Sequence, residues 1–164
     1  MFGKKRPECP PYVLQVLTPE SLIEGTVEGY STLYLAGEAA SIPPLLLTSV
    51  RIQTTGAADI PAQTCAQLLV FGINAVALIP RVEFTQMAEH EVWTLYMKPF
   101  PGVLHVGPYV IQGKMNLRAE NHFEKQIPIF DVRIASRIPG SRLRELFAPF
   151  ALINFHWLRG WEPQ

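Results

Sequence analysis

The chain has 164 residues, of which 48% are hydrophobic and only 17% are charged, and its 14 basic side chains balance 14 acidic ones. This composition excludes a disordered chain, which needs few apolar residues and a high net charge. It also excludes a strongly basic nucleic-acid protein as a description of the whole chain. The length suits one ordinary domain or two very small ones.

Short apolar runs between turn signals predict β-strands along most of the chain. In the first 80 residues these runs are 12–17, 22–28, 32–35 and 45–53, followed by 68–71 and 75–79, which predict a hairpin around a tight turn. Residues 81–96 differ, because their apolar side chains recur at helical spacing and predict one helix. A second closing hairpin is predicted over residues 150–161. The 15 prolines disfavour long helices elsewhere.

Three short blocks recur in the same order in the two halves of the chain, and a pair of glycines follows them. The matches are 22–25 with 110–113, Ile42-Pro43 with Ile127-Pro128, 50–52 with 132–134, and Gly56 with Gly140. Repeats of this kind predict an internal duplication, although two β-rich halves can also be similar by chance. The boundary is expected near residue 80. This gives a first half of residues 1–80 and a second half of residues 81–164, which begins with the helix.

Each half is then predicted to contain five short strands, with a glycine in the second and a tight turn before the last. Residues 69–76 are similar to the second sequence motif of Sm-like proteins, and residues 22–28 with 45–52 are similar to the first motif. The chain therefore resembles the Sm-like family (the Sm, LSm and Hfq superfamily). The resemblance implies a mainly β fold of two tandem SH3-like, five-stranded barrels with one connecting helix. Gly25 and Gly113 are expected to bend their strands so that each small barrel can close.

The residues that bind RNA in that family are only partly matched. RNA-binding members use an Asp and an Asn after the second strand, and an Arg or a Lys-His pair in the last turn. Here Phe71 stands where those relatives carry a basic residue, and the matching turn of the second half offers Phe155 and His156. The resemblance therefore implies the fold more directly than it implies RNA binding, since a fold does not carry function by itself.

Basic side chains are concentrated in the C-terminal part of the chain. Residues 1–109 carry six basic and nine acidic groups, whereas residues 110–164 carry eight and five. This asymmetry predicts an anion or nucleic-acid face, or a surface complementary to the acidic part; an ordinary solvated surface is the alternative. The speculative ligand-binding or nucleic-acid-binding residues are Arg133, Arg137, Arg142, Arg144, His156 and Arg159.

The sequence has no arrangement typical of catalysis or of metal binding. Cys9 and Cys65 are far apart, and the four histidines form no metal-ligand pair. No nucleophile lies beside a base in a known motif. We therefore predict a protein that is not an enzyme and that has no cofactor and no metal site.

Two functions remain open after these exclusions, with an enzyme or a small-ligand sensor third. The leading hypothesis is a structural or interaction module that assembles through barrel edges, as a homo-oligomer or with a protein partner. The alternative is binding of RNA or single-stranded nucleic acid through the arginine-rich second half. The apolar runs are too short to span a membrane, and no apolar core of a signal peptide follows the basic start. A cytoplasmic location without membrane attachment is therefore predicted.

Overall fold

The computed structural model describes residues 9–37, 43–87, 90–94, 100–115 and 126–163. These residues form ten strands, β1 (Tyr12–Leu17), β2 (Ser21–Val27), β3 (Leu45–Thr54), β4 (Gln63–Val70), β5 (Ala77–Pro80), β6 (Pro101–Val106), β7 (Tyr109–Lys114), β8 (Gln126–Ser136), β9 (Leu146–Asn154) and β10 (Leu158–Pro163). They also form two short helices, α1 (Thr32–Leu35) and α2 (His90–Thr94), and 3-10 turns at Gly72–Asn74, Phe84–Gln86 and Phe155–Trp157. The prediction of a mainly β fold is confirmed. None of the helices in these residues has the length and apolarity needed to cross a membrane.

The ten strands form one antiparallel sheet in the order β10-β6-β7-β8-β9-β5-β1-β2-β3-β4. The first half contributes β5-β1-β2-β3-β4, and the second half contributes β10-β6-β7-β8-β9. The two halves therefore have the same strand order. They meet where β5, the fifth strand of the first half, pairs with β9, the fourth strand of the second half.

The pairing register also repeats between the halves. Leu17 lies opposite Ala77 and Leu22, as His105 lies opposite Gly160 and Val110. Equivalent residues are 88 positions apart in the first two strands of each half, 82 apart in the third strand and 83 apart in the last two. The sequence matches 22–25 with 110–113 and 50–52 with 132–134 follow this register. Ile127 instead corresponds to Leu45, so the match of Ile42-Pro43 with Ile127-Pro128 is wrong.

Both halves interrupt their second and third strands with an irregularity at the same place. The register of β2 on β3 shifts at Gly25, and that of β7 on β8 shifts at Gly113. A Cβ on Gly25 would lie 2.9 Å from the Cβ of Leu47. A Cβ on Gly113 would lie 2.9 Å from the carbonyl oxygen of Phe130. Each glycine is thus required because the neighbouring strand approaches too closely for a side chain.

Two hydrophobic cores lie on opposite faces of the shared sheet. At the meeting of the halves, Leu78 and Leu152 belong to the core of the first half, and Ala77 and Ile153 belong to the core of the second half. Because successive residues of a strand point to opposite faces, β5 and β9 contribute to both cores. A strand buried on both faces needs an unbroken apolar run, which β5 has.

The structure differs from the expected pair of closed barrels. The sheet is open, and its outermost strands are β4 and β10. The two predicted hairpins are also wrong, because β4 pairs with β3 while β5 pairs with β1 and β9, and β9 and β10 are not neighbours either. The turn at Gly72–Asn74 directs the chain away from β4, and the Val76 amide then donates to the Leu17 carbonyl oxygen at 2.6 Å.

The helical segments also differ from the prediction. The run 32–35 forms helix α1 in place of a strand, because the Ser31 hydroxyl caps it by accepting from the Tyr34 amide at 3.2 Å. The predicted helix over 81–96 is present in pieces, the 3-10 turn at Phe84–Gln86 and helix α2, while residues 88–89 and 95–96 lie outside the described residues. Trp93 anchors α2 to α1, because its buried indole donates to the Thr32 hydroxyl at 2.7 Å. The division of the chain near residue 80 stays a prediction, in which β5 is the last strand of the first half.

Candidate functional site

Two of the six predicted binding residues already face carboxylates. Arg133 on β8 forms an ion pair with Glu145, and the hydrogen bond from Arg133 holds the pKa of the Glu145 carboxyl below its usual range. Arg142, in the loop between β8 and β9, forms an ion pair with Asp59 of the first half at 3.0 Å. Part of the predicted basic surface is therefore neutralised within the chain.

Hydroxyl groups of Ser141, in the loop that carries Arg142, and of Tyr109, on β7, also join the two halves. The Ser141 hydroxyl donates to the carbonyl oxygen of Thr55. The Tyr109 hydroxyl donates to the Thr18 carbonyl oxygen at 2.6 Å and lies 2.9 Å from the Thr55 hydroxyl. Burial raises the pKa of Tyr109 to about 12. Tyr109 therefore keeps its proton and its role as a donor at physiological pH.

Arg137 belongs to a three-residue network at the outer side of the second half. Its Nη1 lies 3.2 Å from Nδ1 of His105, and Nε2 of His105 lies 2.8 Å from Oε2 of Glu162. A guanidinium can only donate, so Nδ1 of His105 accepts and Nε2 carries the proton donated to the Glu162 carboxylate. The network therefore fixes His105 as the neutral Nε2–H tautomer and links the end of β8 to β6 and β10.

The remaining predicted residues lie near the turn before β10 or in an exposed loop. Arg159 donates to the His156 carbonyl oxygen at 3.1 Å, and its guanidinium carbon lies 5.8 Å from the centre of the Trp157 ring. The Trp157 indole donates to the Ile73 carbonyl oxygen at 3.3 Å, which connects the equivalent turns of the two halves. Arg144 is exposed in the loop between β8 and β9. The predicted residues thus have several different environments.

The pairing of β5 with β9 shows how one half joins another. Ala77 lies opposite Ile153, and Leu78 lies opposite Leu152. All four side chains are fully buried. Burying one leucine or isoleucine side chain stabilises a fold by about 1.5–3 kcal/mol. The backbone amide of Asn154 also donates to the Val76 carbonyl oxygen at 3.0 Å. We call this pairing the intrachain junction.

The residues equivalent to Leu152 and Leu78 of the intrachain junction are exposed on the two outermost strands. In the repeated register, Leu69 on β4 corresponds to Leu152, and Trp161 on β10 corresponds to Leu78. Leu69 is 57% exposed and Trp161 is 50% exposed. Phe71, which follows β4, is also exposed. We call β4 with Phe71 the β4 edge and β10 the β10 edge. Within the described part of the chain, these two edges have no strand on their outer side.

The binding residues predicted from sequence do not include Leu69, Trp161 or His105. Leu69 and Trp161 belong to predicted apolar runs, and His105 is one of four scattered histidines. The signal that could have found them is the repeat itself. When the repeat aligns Leu69 with Leu152, Leu152 belongs to a strand pairing inside the chain, whereas Leu69 lies on an outermost strand.

Clusters of metal-ligating side chains are absent from the described residues. No group of three or more His, Cys, Asp or Glu side chains is arranged there to hold a metal ion. Cys9 and Cys65 are not joined in a disulfide. Comparison of the chain with protein-family models, curated proteins and solved structures found no match. The candidate site therefore rests on the two edges and on the residues beside them.

Proposed function

We propose that the protein is a non-catalytic structural module of two tandem Sm-like units, which assembles head to tail through its sheet edges. The β4 edge of one copy pairs with the β10 edge of the next. The observation that carries the proposal is the intrachain junction, in which a fourth strand already pairs with a fifth strand. The β4 and β10 edges are the fourth and fifth strands left over from that arrangement.

The register of the intrachain junction specifies how two copies meet. Leu69 of one copy lies opposite Trp161 of the next, as Leu152 lies opposite Leu78 inside the chain. Both outer side chains are large, apolar and about half exposed, which is the state expected of residues that a partner covers. Exposed strand edges also offer unpaired backbone donors and acceptors, and a second strand satisfies them.

Tandem Sm-like units are supported by the strand order that the two halves share and by the paired glycine irregularities, since the resemblance places a glycine in the second strand of each half. The proposed unit is the five-stranded half, residues 1–80 or 81–164. A small unit buries a limited core by itself. Joining units edge to edge enlarges the buried apolar surface, which explains why both members of the intrachain junction are apolar.

The two edges differ from each other, so the contact between copies is heterologous. Such contacts propagate in one direction and give either a closed ring or an open filament. A symmetric dimer, in which the same edge meets itself, is not the expected product. This directional character makes the proposal testable with variants that block one edge at a time.

The first experiment measures molar mass by size-exclusion chromatography with light scattering. The wild type is expected to form oligomers at micromolar concentration. Leu69→Glu blocks the β4 edge and Trp161→Glu blocks the β10 edge, so each variant alone is expected to be a monomer. Phe147→Glu is the matched control, because Phe147 is 60% exposed but lies on β9 inside the sheet. That control is expected to assemble like the wild type.

Mixing the two blocked variants gives the sharper result. The Leu69→Glu copy keeps a working β10 edge and the Trp161→Glu copy keeps a working β4 edge, so the mixture is expected to form a one-to-one dimer and nothing larger. A wild type that is monomeric throughout, or a mixture that stays monomeric, overturns the proposal. Circular dichroism of each variant checks that it is folded.

Binding of RNA through the arginine-rich half is the alternative function, and it has less support. Arg133 and Arg142 are engaged with Glu145 and Asp59, which leaves fewer cations for phosphates. Phosphate contacts weaken steeply with added salt. Tight binding of a single-stranded oligonucleotide at physiological salt, reduced by Arg142→Ala with Arg144→Ala, in a chain that stays monomeric, would favour the alternative.

A further inference from the structure

Three positions beside the intrachain junction are uncharged on the first half. Leu17 and Ile79 are fully buried and belong to the hydrophobic core of the second half. Thr55, just after β3, is 1% exposed and bonded to Tyr109. The second half therefore covers these three positions when it pairs with β5.

The equivalent positions on the second half are polar and ionisable. In the repeated register, Leu17 corresponds to His105 and Ile79 corresponds to Glu162. Arg137, just after β8, takes the place of Thr55, just after β3. These three residues are the members of the Arg137–His105–Glu162 network. If the next copy docks as the second half docks on the first, it covers this charged network, whereas the second half covers two apolar side chains and Thr55.

We propose that His105 makes the contact between copies sensitive to pH, so that the assembly loosens when His105 takes up a proton. This inference rests on the proposed head-to-tail assembly. The pH effect is expected at the contact between copies and not at the intrachain junction, because the intrachain junction has Leu17 where the contact between copies has His105. Only the contact between copies then responds to acidification.

The proton count in the network gives the direction of the effect. In the neutral form, Nδ1 of His105 accepts from Arg137 and Nε2–H donates to Glu162. A second proton has to sit on Nδ1, where it faces the N–H groups of Arg137 and ends that hydrogen bond. The network then carries one more positive charge. Covering a charged imidazole with another copy costs more free energy than covering a neutral one.

The groups that face His105 come from both sides of the contact. Within the described residues of its own chain, the charged groups bonded to it are Arg137 from the end of β8 and Glu162 from β10. On the incoming copy, Ser21 takes the place of Tyr109, and it is uncharged. The nearest acids there are Glu20, beside Ser21 in sequence, and Asp59, which is paired with Arg142 of its own chain. Ser21 itself therefore supplies no charge to the imidazolium, and Glu20 is the acid beside it in sequence.

The size of the effect follows from linkage. If one proton must leave at each contact, the association constant falls by up to about tenfold for each unit of pH below the histidine titration. Imidazoles change charge within the range of about pH 5 to 8. Assembly is therefore expected to be strongest near pH 8 and to weaken towards pH 5.5.

The test compares wild type with His105→Gln at constant ionic strength. Glutamine does not titrate, and its side-chain oxygen and nitrogen reproduce the acceptor towards Arg137 and the donor towards Glu162. Oligomer dissociation is measured by light scattering against concentration at pH 8 and pH 5.5. The wild type is expected to dissociate several-fold more readily at pH 5.5, with about tenfold as the upper limit for one proton in one pH unit, whereas His105→Gln is expected to show no comparable change.

His90→Gln is the matched control, because His90 lies on α2 and contacts the Met87 carbonyl oxygen, away from both edges. It is expected to keep the wild-type pH response. An assembly that Leu69→Glu disrupts but that does not respond to pH overturns this inference alone, as does a His105→Gln protein with the full response. A wild type that is monomeric at both pH values overturns the proposed assembly as well. Thermal melts at both pH values verify that loss of assembly is not unfolding.

Discussion

Ser49 and Asp131 adopt the same left-handed backbone conformation, with φ angles of 53° and 51°. The two residues are equivalent in the repeated register, each directly before the valine that pairs with the fourth strand. Residues other than glycine rarely adopt positive φ, because the Cβ approaches the following carbonyl oxygen. The two halves therefore share a local backbone conformation as well as a strand order.

The strain at Ser49 gives the first prediction. Ser49→Gly removes the unfavourable Cβ contact, and we expect it to raise the free energy of unfolding by up to about 1 kcal/mol. The melting temperature is then expected to rise by about 2–4 °C. Ala66→Gly, at an exposed position of β4, is the control and is expected to lower stability, since glycine in a strand costs about 0.5–1 kcal/mol. A fall in stability for Ser49→Gly would contradict the strain.

Gly113 gives the second prediction. A Cβ there meets the side chain of Ile129 and the carbonyl oxygen of Phe130, and a backbone atom cannot move aside without shifting β8. We expect Gly113→Ala to lower the free energy of unfolding by about 1–3 kcal/mol, the usual range for overpacking. Gly56→Ala is the control, because a Cβ at Gly56 would have no neighbouring atom within 4 Å. Equal urea midpoints for the two variants would argue against a close approach at Gly113.

Tyr109 gives the third prediction, which concerns alkaline pH. Tyr109→Phe removes the hydrogen bonds to Thr18 and Thr55, and we expect a loss of about 1–3 kcal/mol at pH 8 because the buried Thr55 hydroxyl and the half-buried Thr18 carbonyl lose this partner. Burial raises the pKa of Tyr109 to about 12. Its contribution is therefore complete below the ordinary tyrosine pKa of about 10 and is lost as the pH rises towards 12.

Urea unfolding of wild type and Tyr109→Phe at pH 8 and pH 11 measures this difference. The gap between the two proteins is expected to narrow at pH 11, because the wild type loses stability that the phenylalanine variant never had. Other tyrosines titrate equally in both proteins, so they cancel in the comparison. A gap of constant size would show that the Tyr109 hydroxyl does not stabilise the folded state through its proton.

The strands of the first half are predictable from sequence where the pattern is local. The run 12–17 coincides with β1, and the repeat at residues 50–52 and 132–134 agrees with the observed register. Gly25 and Gly113 are also identifiable from sequence, because a glycine inside an apolar strand indicates an irregularity.

The pairing of sequence neighbours could not be predicted in the same way. The runs around the turn at Gly72–Asn74 look like a hairpin, since periodicity reports which residues are apolar and not which strands pair. Their final positions depend on long-range contacts, such as that of Leu78 with Leu152. The edge position of β4 could not be predicted from sequence for the same reason. Leu69 and Leu152 lie in similar apolar runs, and they differ only in the strands that lie beside them.

The intrachain junction affects how any assembly built from this chain would depend on protein concentration. Two units on one polypeptide meet at a fixed, high effective concentration, commonly in the millimolar range for short connections. In the proposed assembly, every second contact is therefore independent of how much protein is present, and dilution is expected to break only the contacts between chains. In the proposed assembly the two contacts are also made by different residues, so the intrachain contact has the apolar Leu17 where the contact between copies has His105 with its charged partners Arg137 and Glu162.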